Sequence, residues 1–154
     1  MAQRRLLIVF HSQSGRSERL AFAAFRGASS ESEVEVRLQR AMDASSADLL
    51  WANALLLVTP ENFGTTAGGM KDLLDRIYYP CERAGLAALP YALIISAGNS
   101  GTGCDNQIAR ILQAMRMKRV QERLLVLGEP TEAHLAQAGE LGLALAIGLA
   151  AGIF

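Results

Sequence analysis

Residues Ser12-Gln13-Ser14-Gly15-Arg16-Ser17 carry the densest chemistry of the chain. They stand directly after the apolar run Leu6-Leu7-Ile8-Val9-Phe10 and directly before a helix-like stretch beginning near Ser17. Backbone N–H groups at a helix N-terminus have no intrahelical partner, and the helix dipole favours an anion there. Ser12, Ser14 and Ser17 add hydroxyl donors, and Gly15 lets the backbone close around oxygen atoms. Ligands of open α/β sheets bind at the carboxyl ends of strands, which is where this turn lies. The turn therefore reads as a phosphate site or as a capped strand–helix connection that binds nothing.

Two more loops share its character. Thr59-Pro60-Glu61-Asn62-Phe63-Gly64-Thr65-Thr66-Ala67-Gly68-Gly69-Met70-Lys71 follows a third apolar run. Pro60 stiffens its exit, and Gly64, Gly68 and Gly69 let backbone lie against a flat ligand. Phe63 could lie against a ring, while Asn62, Thr65 and Thr66 could hydrogen-bond ring edges. Ser96-Ala97-Gly98-Asn99-Ser100-Gly101-Thr102-Gly103-Cys104-Asp105 follows a fourth run and is again small and polar. Any one of these loops fits ordinary turn chemistry. Three on one sheet edge point to a phosphate-bearing heterocycle.

The elements that must position these loops follow from periodicity. Apolar runs occur at Leu6–Phe10, Val34–Leu38, Ala54–Val58, Ala92–Ile95 and Leu124–Leu127. All but the second are almost wholly apolar, as strands covered on both faces should be. Val34-Glu35-Val36-Arg37-Leu38 alternates, which suits an edge strand. Met70, Leu73, Leu74 and Ile77 form a helical stripe, as do Ile108, Ile111, Leu112 and Met115. Leu20, Ala21, Ala24 and Phe25 give the first helix its apolar face, Asp43 to Trp51 reads as a short second helix, and Thr131 after Pro130 N-caps the last. Strand–helix alternation throughout predicts one α/β domain over residues 1–154, with a doubly wound five-stranded parallel sheet and helices on both faces.

Composition excludes several classes. Fifteen basic residues balance 15 acidic ones, and 51% of residues are hydrophobic. A neutral chain with no basic stripe is not a nucleic-acid binder, and one this apolar is not disordered. Cys81 and Cys104 lie far apart with no metal-type or disulfide spacing. The apolar run near the start is too short for a secretory signal, so a cytoplasmic location is expected. Leu141 to Phe154 is nearly all apolar, but about 14 residues fall short of the roughly 20 that span a bilayer. A last helix packed on the sheet is expected instead of a membrane contact, with a tail buried in the core or in a homo-oligomer interface.

The loops then resemble a family. A dinucleotide fold would want G-x-G-x-x-G after the first strand, and a Walker loop would want Gly-Lys-Ser/Thr; this chain has S-x-S-G-x-S. Leu7–Ser17 resembles the phosphate-binding signature of flavodoxin-like FMN proteins. Thr59–Gly64 through Gly69-Met70-Lys71-Asp72-Leu73-Leu74-Asp75 is similar to a further stretch of that superfamily. By pattern the chain looks nearest to NAD(P)H-dependent FMN reductases and quinone reductases of the tryptophan-repressor-binding-protein type. The resemblance implies the strand order 2-1-3-4-5, with FMN at the switch point beside the first and third strands. It implies that Ser12, Ser14, Gly15, Arg16 and Ser17 hold the FMN phosphate. Pro60, Asn62, Phe63 and Gly64 would approach the isoalloxazine, and Gly98, Asn99, Gly101 and Thr102 would line its other side. Gln13, Glu61 and Thr65 complete the expected lining.

The chain departs from electron-carrier flavodoxins in two ways: Gly98–Cys104 contains no aromatic residue, and the overall charge is not acidic. The function implied is an FMN-binding oxidoreductase using NAD(P)H to reduce a flavin, a quinone or a similar small acceptor, with no side chain acting as nucleophile or base. Its alternatives are an electron carrier without turnover of its own and a flavodoxin-like interaction scaffold. Among lesser residues, Arg16 fits either the phosphate loop or a solvent-facing helix charge. His11 reads as a hydrogen-bonded histidine beside that loop, and His134, Asp72 and Asp75 as surface groups. Cys81 and Cys104 read as buried thiols. Tyr78 and Tyr79 fit either the rim of the pocket or a subunit contact.

Overall fold

The computed structural model describes residues 2–86 and 88–154. Along the chain it runs β1 (Arg4–Phe10), α1 (Arg16–Ala28), β2 (Val34–Arg40), α2 (Ser46–Trp51), β3 (Ala54–Asn62), β4 (Thr65–Thr66), α3 (Gly68–Arg83), β5 (Pro90–Ala97), α4 (Thr102–Ala114), β6 (Lys118–Arg119), β7 (Leu124–Leu127) and α5 (Glu132–Ala150). The wholly apolar runs become the interior strands because both of their faces are covered. Leu7, Val9, Leu55, Leu57, Leu93 and Ile95 point to one layer, with Leu73, Leu74 and Ile77 of α3 and Ile108 and Leu112 of α4. Leu6, Ile8, Leu56, Val58, Ile94 and Val126 point to the other, with Leu20 and Ala24 of α1 and Leu145 and Leu149 of α5. Two cores back to back on one sheet make each interior strand read as a continuous apolar run.

The strand order is β2-β1-β3-β5, with β6 and β7 both pairing β5 on its outer side. These pairings are parallel, and the order is the expected flavodoxin-like one, with the fifth position split in two. β2 is the edge strand, as its alternation predicts. The sheet thus has seven strands where five were expected. β4 is an antiparallel return onto β3, and β6 pairs only Pro90 and Tyr91 before residues 120–123 leave the sheet. α2 begins at Ser46, later than the expected Asp43. The N–H groups of Asp43 and Ala44 turn back to the Arg40 carbonyl at 3.0 Å. The Asp48 carboxylate accepts the Ser45 N–H at 2.8 Å, which fixes the helix start there.

Glycines in the helices have a packing role. A Cβ on Gly27 would stand 2.0 Å from the Gly139 carbonyl oxygen, and one on Gly142 would stand 2.1 Å from that of Ala24. α1 and α5 therefore cross with their backbones nearly touching. In α5, glycine is the cost of that approach rather than a defect of the helix.

Candidate cofactor site

The three polar loops do meet. They leave the carboxyl ends of β1, β3 and β5, adjacent strands of the sheet. Asn62 Nδ2 donates to Gln13 Oε1 at 2.5 Å, joining the second loop to the first. Glu61 joins the second to the third: its carboxylate accepts the N–H of Gly101 at 3.2 Å and of Cys104 at 3.0 Å. Gly103 makes the same junction sterically, since a Cβ there would lie 1.8 Å from the Gly64 carbonyl oxygen. Thr66 N–H donates to Gln107 Oε1 at 2.9 Å, pinning β4 to α4.

These contacts decide where an anion can sit. The N-terminus of α4 already holds the Glu61 carboxylate, and that of α5 holds the Thr131 hydroxyl, which accepts the His134 N–H. The N-terminus of α1 has no side-chain cap. Gly15 precedes it at φ +92°, a left-handed conformation that turns the chain from strand to helix without Cβ strain. Ser12 Oγ accepts the Gly15 N–H at 3.1 Å and shapes the turn. Ser17, 2% exposed, has a buried hydroxyl with no hydrogen-bond partner among the described residues. Buried hydroxyls are nearly always paired, so an orphan on an uncapped helix N-terminus fits a phosphate oxygen. Ser14 and Gln13 are exposed beside it.

The second loop forms a tight hairpin. Glu61 pairs Thr66 and Asn62 pairs Thr65, leaving Phe63 and Gly64 as the turn, at φ +51° and +74°. Positive φ at both positions is the type I′ turn that matches the strand twist. Phenylalanine is a strained choice there, and its ring is fully exposed at the tip. Pro60, at the exit of β3, is half-buried, and Thr65 Oγ1 donates to the Asn62 carbonyl at 3.0 Å. In the third loop Gly98, Asn99 and Thr102 are exposed on the rim, while Gly101 is buried behind them. Glu61 thus braces two loops through its carboxylate.

Arg16 has a definite partner. Its Nε donates to Glu129 Oε1 at 2.8 Å, and Arg19 stands 3.6 Å from the other oxygen of that carboxylate. This pair ties the start of α1 to the β7–α5 loop. His11 packs against Gly69, where a Cβ would be 2.3 Å from Nδ1. Burial, and then the positive charge of Arg40, hold its pKa below 6.5. Cys104 is buried beside the site, and burial pushes its thiol pKa up to about 11, so it stays protonated and inert. Tyr78 and Tyr79 lie in the C-terminal half of α3, whose first residue follows the hairpin, so they stand away from the loops. Sequence reading missed Gly103, Gln107 and Glu129. The first showed only as one more glycine in a glycine-rich loop, and the partners of the others lie far away in the sequence.

Residues 12–132 match the model of a family described as NADPH-dependent FMN reductase. The chain belongs to this family. Its cofactor is FMN, and its chemistry is flavin-linked redox chemistry. A flavodoxin of Aquifex aeolicus (strain VF5) is 30% identical over 73 residues, a match that takes in 47% of this chain and 40% of that protein. Among solved structures, a flavodoxin from the domain Archaea superposes with a TM-score of 0.80 at 22% identity, covering 94% of this chain and 98% of that one. A flavodoxin, WrbA-like protein from Agrobacterium tumefaciens gives 0.78 at 18% identity, covering 97% and 98%. The rubredoxin:oxygen oxidoreductase of Desulfovibrio gigas gives 0.81 at 18% identity, covering 98% of this chain but 38% of that one. The superpositions show the flavodoxin-like fold that the sequence predicts.

Proposed function

We propose that the chain is an FMN-dependent oxidoreductase that takes reducing equivalents from NAD(P)H and delivers them to a free flavin, a quinone or a similar small acceptor. The observation that carries this reading is the third loop. Gly98, Asn99, Ser100 and Thr102 are exposed, and no aromatic side chain stands between Gly98 and Cys104. The side of the site formed by this loop therefore has no aromatic cover from it, which suits a site where a nicotinamide and then an acceptor must stack in turn.

FMN supplies the hydride- and electron-transfer chemistry; the protein supplies position and field. In this reading the uncapped N–H groups of α1 and the hydroxyls of Ser12, Ser14 and Ser17 take the phosphate. Arg16, held by Glu129, keeps a positive charge at the rim. Pro60, Asn62, Phe63, Gly64 and Thr65 flank the ring system on the hairpin side, with Gln13 bracing Asn62. Gly98, Asn99, Gly101 and Thr102 shape the other side, fixed there by Glu61. We further read the protein as a cytoplasmic homo-oligomer without nucleic-acid or membrane partners. α5 is apolar and long enough to cross a bilayer by length and composition alone. Its packing along α1 favours a helix of the fold instead.

Anaerobic mixing of the FMN-loaded protein with NADPH or NADH tests this reading. Loss of the oxidised-flavin absorbance, restored by a quinone over repeated cycles, is expected. A flavin that neither nucleotide reduces, but that a redox protein does, would make the chain a carrier.

A further inference from the structure

β2 closes the sheet on one side, and no strand among the described residues pairs its outer edge. Edge strands are usually blunted by being short, by Lys or Pro, or by a bulge. β2 has seven residues, Val34-Glu35-Val36-Arg37-Leu38-Gln39-Arg40, without Lys or Pro, and it runs against β1 in an unbroken register. Its free backbone groups can be named. Ala41 N–H donates to the Phe10 carbonyl at 2.8 Å and so points to β1. Backbone groups alternate sides along a strand, so the N–H and C=O of Val36 and Leu38 point outward. One face of this edge bears an apolar groove of about 550 Å³, lined in part by Phe22 and Phe25 of α1 and by Val36 and Leu38. Phe22 is 44% exposed, and the other three are half-buried. On the opposite face Glu35 and Arg37 stand 3.6 Å apart. Arg37 lies 3.8 Å over the Trp51 ring, which holds its guanidinium in place.

We propose that β2 pairs antiparallel with β2 of a second copy, about a two-fold axis through Val36. This rests on the reading of the protein as a homo-oligomer and specifies its contact. Antiparallel pairing of identical strands has a two-fold axis normal to the sheet, and charge selects where that axis falls. Centred on Val36, it sets each Glu35 opposite the partner's Arg37, making a ring of four alternating charges. Centred on Glu35 or on Arg37 instead, it sets like charges face to face. The Val36 register also suits the backbone. Val36 exchanges both of its bonds with the partner's Val36, and Leu38 N–H meets the partner's Val34 carbonyl. Glu35 and Arg37 then occupy the non-hydrogen-bonded positions, where opposing side chains come closest. The axis keeps α1 of both copies on one face, so the two apolar grooves adjoin across the seam.

Sedimentation of the FMN-loaded full chain tests this through charge exchange. The wild type is expected to run as a dimer. Glu35→Arg and Arg37→Glu should each weaken self-association at least about tenfold, because each sets like charges opposite one another. An equimolar mixture of the two variants should restore the dimer, since every opposing pair is then of opposite sign. Mixing repairs neither a misfolded chain nor a lost Trp51 contact, so this arm reads the register itself. Val36→Pro removes an N–H that faces outward, which an edge strand tolerates, and should leave a monomer that binds FMN as before. If that variant fails to fold, the charge variants carry the test. Variants that stay dimeric, or that stay monomeric when mixed, overturn the contact and leave the homo-oligomer reading standing. A wild type that is monomeric throughout overturns both, and frees the edge for an extended segment of another protein.

Discussion

Ser17 makes the sharpest statement at the scale of a single residue. An unpartnered buried hydroxyl costs about 1–3 kcal/mol, and nothing within the described protein offsets it. Ser17→Ala should therefore leave the cofactor-free protein as stable as before, or more stable by up to about 1 kcal/mol. It should also weaken FMN binding by about tenfold. Thermal unfolding and fluorescence titration separate the two effects. A variant that lost stability and kept its affinity would show the hydroxyl to be structural. His11 makes a pH-dependent claim. Its folded pKa lies below 6.5, so the native state prefers the neutral imidazole. As the pH falls through and below 6.5, the unfolded chain binds the proton first and stability declines; above that window its contribution is complete. The urea midpoint should therefore drop between about pH 7 and about pH 5. His11→Asn should flatten the drop, and an unchanged slope would remove His11 as its cause.

At the scale of elements, the hairpin and α4 behave as one unit through Gly103 and Glu61. Gly103→Ala drives a methyl into the Gly64 carbonyl, against backbone that cannot step aside. It should cost about 1–3 kcal/mol and loosen FMN binding together with stability, read by denaturant titration with and without cofactor. A silent substitution would mean that the hairpin floats free of α4. The interior strands were legible because burial on both faces leaves a plain apolar run, and the three loops because glycine and hydroxyl residues mark strand exits. The hairpin was not legible. Its turn is Phe63-Gly64, where the usual signal is Asn-Gly or Asp-Gly, and β4 is two residues long. Glu61 stood in the sequence among candidate ligand contacts, but its bonds to Gly101 and Cys104 span 40 and 43 residues, which no local pattern reveals. The pairing of Arg16 with Glu129 is hidden for the same reason. The close approach of Gly139 and Gly142 to the backbone of α1 is equally invisible to a local pattern.

For the whole molecule, the architecture puts the three polar loops at one end of the sheet and packs a helix layer on each of its faces. The α1–α5 crossing anchors the layer that bears the loop over residues 12–17. Gly142→Val, which would press into the Ala24 carbonyl, should cost several kcal/mol and shift the thermal midpoint with or without cofactor. On the outer side of α5, Ile147 is exposed, as is Ile153 beyond it. If this face joins two copies, Ile147→Glu should lower the sedimenting mass, and an unchanged mass would place any interface elsewhere. The central claim is that the open N-terminus of α1 takes the FMN phosphate. It is tested most directly by titrating the cofactor-stripped protein with FMN and with riboflavin, which share the ring and differ in the phosphate. The account predicts tight binding of FMN, at least about a hundredfold weaker binding of riboflavin, and loss of that difference in Ser17→Ala combined with Ser14→Ala. Equal affinity for the two flavins would contradict it and move the recognition from the loop to the ring.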